Sequence, residues 1–217
     1  GEFPNQEDDV FIPLSLIEQC SSKLLELDDA DGMQFVSLGV DVARFGDDET
    51  IIYRNYHGHC KIVRNRRGQN LMATVGDIVQ EFKKIYREHP TYESKVYVQI
   101  DDTGLGGGVT DRLKEVRKEQ KLYKMQVIPI NAAEKIETDT AAGKDAAERY
   151  NNLTTAMWAS MRDLLDNKQI VIEDDEQTIG QLSSRKYTMA SNGKLEIEPK
   201  KEMKKRGLDS PDRADAL

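Results

Sequence analysis

Residues 35–66 read FVSLGVDVARFGDDETIIYRNYHGHCKIVRNR and carry the clearest structural signal in the chain. Its apolar and β-branched runs predict three strands, at Phe35–Val42, Thr50–Tyr56 and Cys60–Arg66. Gly58 lies in the turn between the second and third runs, so these two strands form a hairpin. Three successive strands of this kind predict an antiparallel meander within one sheet.

The next hundred residues alternate between helical and extended patterns. Alternation of apolar and polar residues over Val96–Ile100 predicts a fourth strand, and Val127–Ile130 predicts a fifth. Helical spacing occurs before and after the fourth strand, at Leu71, Val75, Ile78, Phe82 and Ile85 and again at Val109, Leu113 and Val116. This order predicts an α/β fold with a mixed five-stranded sheet flanked by helices.

The remainder of the chain is predicted to hold one long helix and a second hairpin. The hairpin pairs Arg185–Met189 with Lys194–Glu198 across an Asn192-Gly193 turn. The apolar face of the long helix consists of Ala147, Tyr150, Leu153, Met157, Met161 and Leu164. Residues 1–34 are predicted to be a connecting segment that carries a short helix, and residues 35–217 the main domain.

Composition narrows the class of protein. The 217 residues are 38 % hydrophobic and 32 % charged, which predicts a folded domain with a polar surface. We expect neither a membrane-spanning helix nor a signal peptide. Cys20 and Cys60 lack metal-ligand spacing, so reduced thiols in a cytosolic setting are expected. The net charge of −8 argues against a protein that binds nucleic acid through charge alone, although residues 200–206 are locally basic.

Carboxylates end two of the predicted strands. Asp41 follows the apolar run of the first strand, and Asp101 follows that of the fourth. Open α/β sheets place their sites at the carboxyl ends of strands, so this pair predicts a shared site, whereas one residue alone could simply cap a loop. Asp102 is the rival of Asp101, but alternation along a strand directs the two side chains to opposite faces.

Another pair of carboxylates lies in Ser210–Leu217, which reads SPDRADAL. Ser210 followed by Pro211 predicts the start of a helix. Asp212 and Asp215 are three residues apart and share a helix face. Asp212 also suits the helix dipole, whereas Asp215, between two alanines, needs a partner such as a metal ion if it faces inward.

Convergent carboxylates repel one another unless cations are bound between them. Hard oxygen ligands without His or Cys select Mg²⁺ or Mn²⁺ over zinc. Two such ions, roughly 4 Å apart, can activate a water and stabilise the leaving oxygen of a phosphodiester. The carboxylates therefore predict a phosphodiester hydrolase that uses two Mg²⁺ or Mn²⁺ ions.

Three stretches of the sequence resemble motifs of the nuclease domain of phage terminase large subunits. They are, in order, Gly39–Thr50, Asp101–Gly106 and Ser210–Leu217. Gly1–Pro4 also resembles the segment that leaves the ATPase domain in this family. The resemblance implies a ribonuclease H-like fold over residues 35–217 and an ATPase domain ahead of residues 1–34.

The same resemblance implies roles for individual residues. The catalytic, metal-binding residues would be Asp41, Asp101 and Asp215. Asp212 would be an auxiliary ligand or a hydrogen-bonding residue, and Asp48 would lie near the first metal.

The family's function implies that the chain cuts concatemeric viral DNA during genome packaging in the host cytoplasm. Implied partners are double-stranded DNA, the ATPase domain of the same subunit, the small terminase and the portal protein, with no membrane involved. The sequence contains no G-x-x-x-x-G-K-[ST] phosphate-binding loop. We therefore expect this chain to cleave DNA but not to translocate it.

Basic residues near the third motif are candidates for contact with the DNA backbone. The predicted second hairpin and the lysines after it supply Arg185, Lys186, Lys194, Lys200 and Lys201. A run of charge can equally be an ordinary solvated face.

Three other functions remain open on the sequence. An actin-like or sugar-kinase ATPase shares the strand–hairpin start and the glycine-rich turn, although such proteins repeat that unit twice. A junction resolvase or integrase would share the metal chemistry on another DNA structure. A non-catalytic scaffold would bind a portal or capsid protein without cleaving DNA.

Overall fold

The computed structural model describes residues 9–22, 35–43, 48–132 and 134–217. The chain divides into two compact units. The sheet unit consists of Leu27–Asn131 with Asp212–Leu217, and the hairpin unit of Gly1–Glu26 with Ala132–Pro211. Residues 1–8 and 23–34 of the predicted connecting segment lie outside the described residues, so that boundary stays a prediction.

Helices and strands follow one another along the described residues. In chain order they are α1 (Leu14–Gln19), β1 (Val36–Asp41), β2 (Glu49–Tyr56), β3 (His59–Arg67), α2 (Leu71–Glu88), β4 (Val96–Asp101), α3 (Gly106–Glu119), β5 (Met125–Ile130), α4 (Ala141–Arg149), α5 (Leu153–Asp166), β6 (Val171–Ile172), α6 (Glu176–Ser184), β7 (Tyr187–Met189), β8 (Leu195–Ile197), α7 (Lys200–Lys205) and α8 (Asp212–Ala216). None of these helices has both the length and the apolar character needed to cross a membrane.

Strands of the sheet unit lie in the order β5-β4-β1-β2-β3. β1, β2 and β3 form the antiparallel meander, whereas β4 and β5 run parallel to β1. All five begin and end close to their predicted bounds, and the mixed α/β sheet of the prediction is confirmed.

One face of this sheet carries the core. α2 and α3 cover it, and their apolar residues join a single buried cluster with alternate residues of the two central strands, namely Val36, Leu38 and Val40 of β1 and Val96, Val98 and Ile100 of β4. Because side chains alternate along a strand, the intervening residues Ser37, Gly39, Asp41, Tyr97, Gln99 and Asp101 belong to the opposite face. We call this second surface the acidic face.

The prediction of one long helix is wrong, because this stretch forms two helices, α4 and α5. Tyr150 is extended and pairs with Leu195, and the main-chain nitrogen of Asn151 donates to the Leu195 carbonyl over 2.8 Å. Asn152 then caps α5, since its side chain accepts from the Thr155 nitrogen over 2.8 Å. Asn is a favoured N-cap residue, because its side chain can accept from the main-chain nitrogen three residues later. The cap at Asn152 therefore starts a new helix within an apolar spacing that would otherwise continue.

The hairpin unit contains the predicted second hairpin in shortened form. β7 and β8 pair antiparallel, and Gly193 in their turn has a φ of +79°. α6, β6 and α7 have no counterpart among the elements predicted from the sequence. The locally basic residues 200–206 include α7, which is anchored by the buried side chain of Met203.

Candidate active site

Asp41 and Asp101 end adjacent parallel strands at the same level. β1 and β4 pair in parallel up to Val40 opposite Ile100, and each aspartate is the next residue. Partners in a parallel register direct their side chains to the same face. The two residues therefore occupy neighbouring positions on the acidic face, at the carboxyl edge of the sheet, with Asp41 buried and Asp101 partly buried.

The turn after β4 fixes Asp101. The Thr103 nitrogen donates to Asp101 Oδ1 over 2.9 Å, and Gly104 follows with a φ of +72°. Helix α3 then begins against the strand end, so closely that a Cβ added to Gly106 would lie 1.7 Å from the Asp101 carbonyl oxygen. The Asp-x-Thr-Gly sequence thus has a structural role at this point, because Thr103 orients the Asp101 carboxylate and Gly104 allows a sharp turn of the chain.

Asp102 faces away from this position. Its carboxylate lies beside Gly107 of α3, where an added Cβ would be 3.8 Å from Asp102 Oδ1. Because α3 covers the core side of the sheet, Asp102 is directed to the face opposite Asp101, as the alternation predicted.

Helix α8 lies on the acidic face and brings Asp215 there. It packs against β1 and β2, and a Cβ added to Gly39 would lie 2.0 Å from the carbonyl oxygen of Ala216. Gly39 and Asp41 share a face because they are two residues apart on β1. The missing side chain at Gly39 therefore lets the helix that carries Asp215 approach the strand that carries Asp41.

Asp212 acts in a hydrogen bond at the start of α8. Its Oδ2 accepts from the main-chain nitrogen of Glu49 over 2.9 Å, and the side chain is buried. The role of Asp212 in the active site, as an auxiliary metal ligand or a hydrogen-bonding residue, stays a prediction. Asp48, the residue before Glu49, is exposed, and its proximity to a metal likewise stays a prediction.

Glu49 and Arg213 are residues of this region that the sequence analysis missed. Glu49 is buried at the start of β2, and its Oε2 accepts from Arg213 Nε over 3.2 Å. Its Oε1 accepts from Arg67 Nε over 3.1 Å. The only local signals were a charged residue at a strand start and an arginine between two aspartates, and neither specifies a partner 164 residues away.

The structure thus brings Asp41 and Asp101 together and places the helix of Asp215 on the same face. Within the described ranges, no group of three or more His, Cys, Asp or Glu side chains is arranged to hold a metal ion. Convergence of Asp41, Asp101 and Asp215 on shared cations therefore remains a prediction.

The donor set on the acidic face fits hard cations. The chain has three histidines, and all lie away from the carboxyl edge of β1. His57 and His59 flank the β2–β3 turn at the far end of β2 from Glu49, and His89 caps α2 and stacks on Tyr56 with ring centroids 3.7 Å apart. Cys20 and Cys60 are buried free thiols, and burial raises the pKa of Cys60 to about 12. The carboxylates supply oxygen ligands alone, which suit Mg²⁺ and Mn²⁺.

Comparison with solved structures identifies the fold. The nuclease domain of the large terminase subunit gp2 of bacterial virus Sf6 superposes with a TM-score of 0.71 at 18 % sequence identity, covering 96 % of each chain. A single-residue mutant of that domain with manganese gives 0.69 at 16 % identity, with the same coverage. The large terminase nuclease of thermophilic phage G20c with bound cobalt gives 0.53 at 12 % identity, covering 95 % of each chain.

The chain has the ribonuclease H-like fold of a large terminase nuclease domain. The matched length is nearly complete on both sides, so the likeness includes both units and not the sheet alone. No family model and no curated protein sequence matches the chain.

The predicted DNA-contacting residues differ in their surroundings. Arg185 is 3 % exposed, its guanidinium lies 4.6 Å from the ring centroid of the buried Trp158, and its Nε donates to the Glu198 carbonyl over 2.9 Å. This burial argues against a contact between Arg185 and DNA. Trp158 itself is a core residue and is 4 % exposed.

The four lysines are more accessible. Lys186 Nζ lies 3.1 Å from Asp9 Oδ2, and Lys194 donates to the Ala147 carbonyl. Lys200 begins α7 and is partly buried, and Lys201 is exposed. Lys204 and Lys205 of the same helix are exposed as well, so α7 presents a basic surface.

Proposed function

We propose that this chain is a divalent-metal-dependent DNA endonuclease that cuts concatemeric viral DNA during genome packaging. The observation that carries the proposal is the placement of Asp41 and Asp101 at adjacent strand ends, with α8 on the same face. The fold shared with terminase nuclease domains supports it, since the G20c and Sf6 relatives are named as nucleases and include forms with cobalt and manganese.

In this proposal Asp41, Asp101 and Asp215 hold two Mg²⁺ or Mn²⁺ ions. Such ions lower the pKa of a bound water and neutralise charge that develops on the phosphate. Asp101 is oriented for this by the Thr103 N–H, and Asp41 by its burial between two neighbouring strands. Asp212 is assigned as an auxiliary ligand that also holds the Glu49 N–H, and Asp48 as a residue close to the first ion.

The partners proposed are double-stranded DNA, an ATPase domain of the same subunit, the small terminase and the portal protein, in the host cytoplasm. An ATPase domain ahead of residues 1–34 would supply translocation. Cleavage would then be the single chemical task of residues 35–217.

Removal of divalent cations should silence the enzyme. Supercoiled plasmid incubated with the chain and Mn²⁺ should be nicked and then linearised, because the water and the phosphate both require the cations. Excess EDTA should leave the plasmid supercoiled, and added Mn²⁺ should restore cleavage. Agarose electrophoresis measures the three plasmid forms, and cleavage that persists in EDTA would reject the proposal.

Charge reversal on α7 should weaken DNA binding. Lys201→Glu removes an exposed positive charge, so affinity for duplex DNA should fall and the slope of log K against log salt should decrease by about 1. Fluorescence anisotropy over a salt series measures both quantities.

Lys114→Glu is the matched control, because Lys114 is an exposed lysine on α3, which covers the core side of the sheet. It makes the same change in net charge and should leave the salt slope as in the unmodified chain. Equal effects of the two substitutions would show that net charge alone, and not the basic surface of α7, governs binding.

A further inference from the structure

Helix α8 cannot hold its conformation by itself. It contains five residues, whereas isolated helices shorter than about 12–15 residues are marginal in water. The position of Asp215 therefore depends on the contacts between α8 and the sheet.

Contacts at both ends tie α8 to β1 and β2. At its start, the Glu49 nitrogen donates to Asp212 and the Glu49 carboxylate accepts from Arg213. At its end, the Ala216 carbonyl lies against Gly39. Glu49 thus binds the first turn of α8 through its main chain and its side chain together.

The Glu49 carboxylate lies between two guanidinium groups of different exposure. Oε1 is 3.0 Å from Arg67 Nη2, and the Arg67 side chain is 60 % exposed. Oε2 is 3.2 Å from Arg213 Nε, and the Arg213 side chain is 11 % exposed. Exposed ion pairs are weak and loosely held, so the shielded pair with Arg213 is the one that defines where α8 lies.

We propose that Glu49 and Arg213 are positioning residues, which hold Asp215 where it can share cations with Asp41 and Asp101. The inference rests on the proposed nuclease function and adds to it two residues that act through another residue. Their contacts include each other, Arg67 and Asp212. Neither of them is assigned a direct contact with cation or DNA.

Substitution of Arg213 separates positioning from simple electrostatics. If only nearby charge mattered, Arg213→Gln would remove a positive charge and strengthen binding of a divalent cation. If Arg213 positions Asp215, the same substitution weakens binding, because α8 loses its shielded ion pair. Glu49→Gln weakens binding under both explanations, so Arg213→Gln is the decisive variant.

Calorimetric titration with Mn²⁺, free of DNA, is the primary measurement. We expect Arg213→Gln and Glu49→Gln each to weaken Mn²⁺ binding by about 10-fold, the range typical for groups that orient metal ligands. The Mn²⁺ concentration for half-maximal plasmid cleavage should rise by the same factor, with most of the rate recovered at saturating Mn²⁺. Arg213→Lys keeps the charge and one donor, and it should recover part of the affinity.

Glu88→Gln controls for a general loss of stability. Glu88 accepts from the buried Arg54 over 2.7 Å within the same unit, away from α8. This variant should unfold at a lower temperature yet bind Mn²⁺ as the unmodified chain does.

Two results distinguish the ways in which the inference can fail. Tighter or unchanged Mn²⁺ binding by Arg213→Gln, beside an active unmodified chain, would overturn the positioning role and leave the nuclease function standing. An unmodified chain that neither binds Mn²⁺ nor cleaves plasmid would overturn both.

Discussion

Asp41→Ala should abolish Mn²⁺-dependent plasmid cleavage while the chain stays folded. Loss of a direct ligand should slow cleavage by more than about 100-fold, since even residues that only orient ligands cost roughly 10- to 100-fold. Asp101→Ala and Asp215→Ala should behave alike, because each removes one carboxylate from the same proposed site. Initial rates of nicking at fixed Mn²⁺ provide the measurement.

The free energy of unfolding should not fall in these variants, although cleavage is lost. Without cations, carboxylates at adjacent strand ends repel one another, so removal of one should leave the free energy of unfolding unchanged or slightly higher. Asp111→Ala is the matched control, because Asp111 is exposed on α3, which covers the core side of the sheet. The Asp111→Ala variant should cleave plasmid at the normal rate. Substantial Mn²⁺-dependent cleavage by Asp41→Ala would contradict the proposed site.

Gly106→Ala should impair both folding and cleavage. The new methyl group would lie 1.7 Å from the carbonyl oxygen of Asp101 and 2.8 Å from its carbonyl carbon, so the strand end or α3 must move. Overfilling of a packed site typically costs about 1–3 kcal/mol, and we expect the free energy of unfolding to fall by that amount. Because the displaced residue is Asp101 itself, Mn²⁺ binding should weaken as well.

The neighbouring glycine provides the control. An added Cβ at Gly107 meets Asp102 Oδ1 at 3.8 Å, which is ordinary contact. In Gly107→Ala the free energy of unfolding should therefore rise by up to about 1 kcal/mol, because alanine has a better helix propensity than glycine. This variant should retain activity. Urea unfolding of both variants tests the pair, and equal stabilities would show that the Asp101 carbonyl does not constrain position 106.

The sheet unit was predictable because its signals are local and repeated. Alternation over Val96–Ile100 and three- to four-residue spacing from Leu71 to Ile85 each mark one face of one element. Asp41 and Asp101 were identifiable for the same reason, since each follows directly on a buried strand. The register that sets them side by side comes from the structure, because a shift of two residues would keep the same faces and separate the two aspartates.

Features that depend on distant partners were not predictable. The apolar spacing ran through Tyr150 and Leu153, and only the pairing of Tyr150 with Leu195 shows why α4 and α5 separate there. Arg185 was predicted to contact DNA, yet it is buried and packs on the Trp158 ring. Glu49 and Arg213 are 164 residues apart in the chain, and no local pattern joins them.

The hydrogen bond between Glu49 and Asp212 spans 163 residues. Closing so long a loop costs more entropy than joining neighbouring strands, and contacts between remote residues form slowly. The described buried members of the apolar cluster under the sheet run from Val36 to Met125, so synthesis of this cluster is complete well before α8 is made. In the proposed nuclease, Asp215 is the last of the three carboxylates to be synthesised. A nascent polypeptide would therefore acquire the capacity to cleave DNA only after synthesis had passed Asp215.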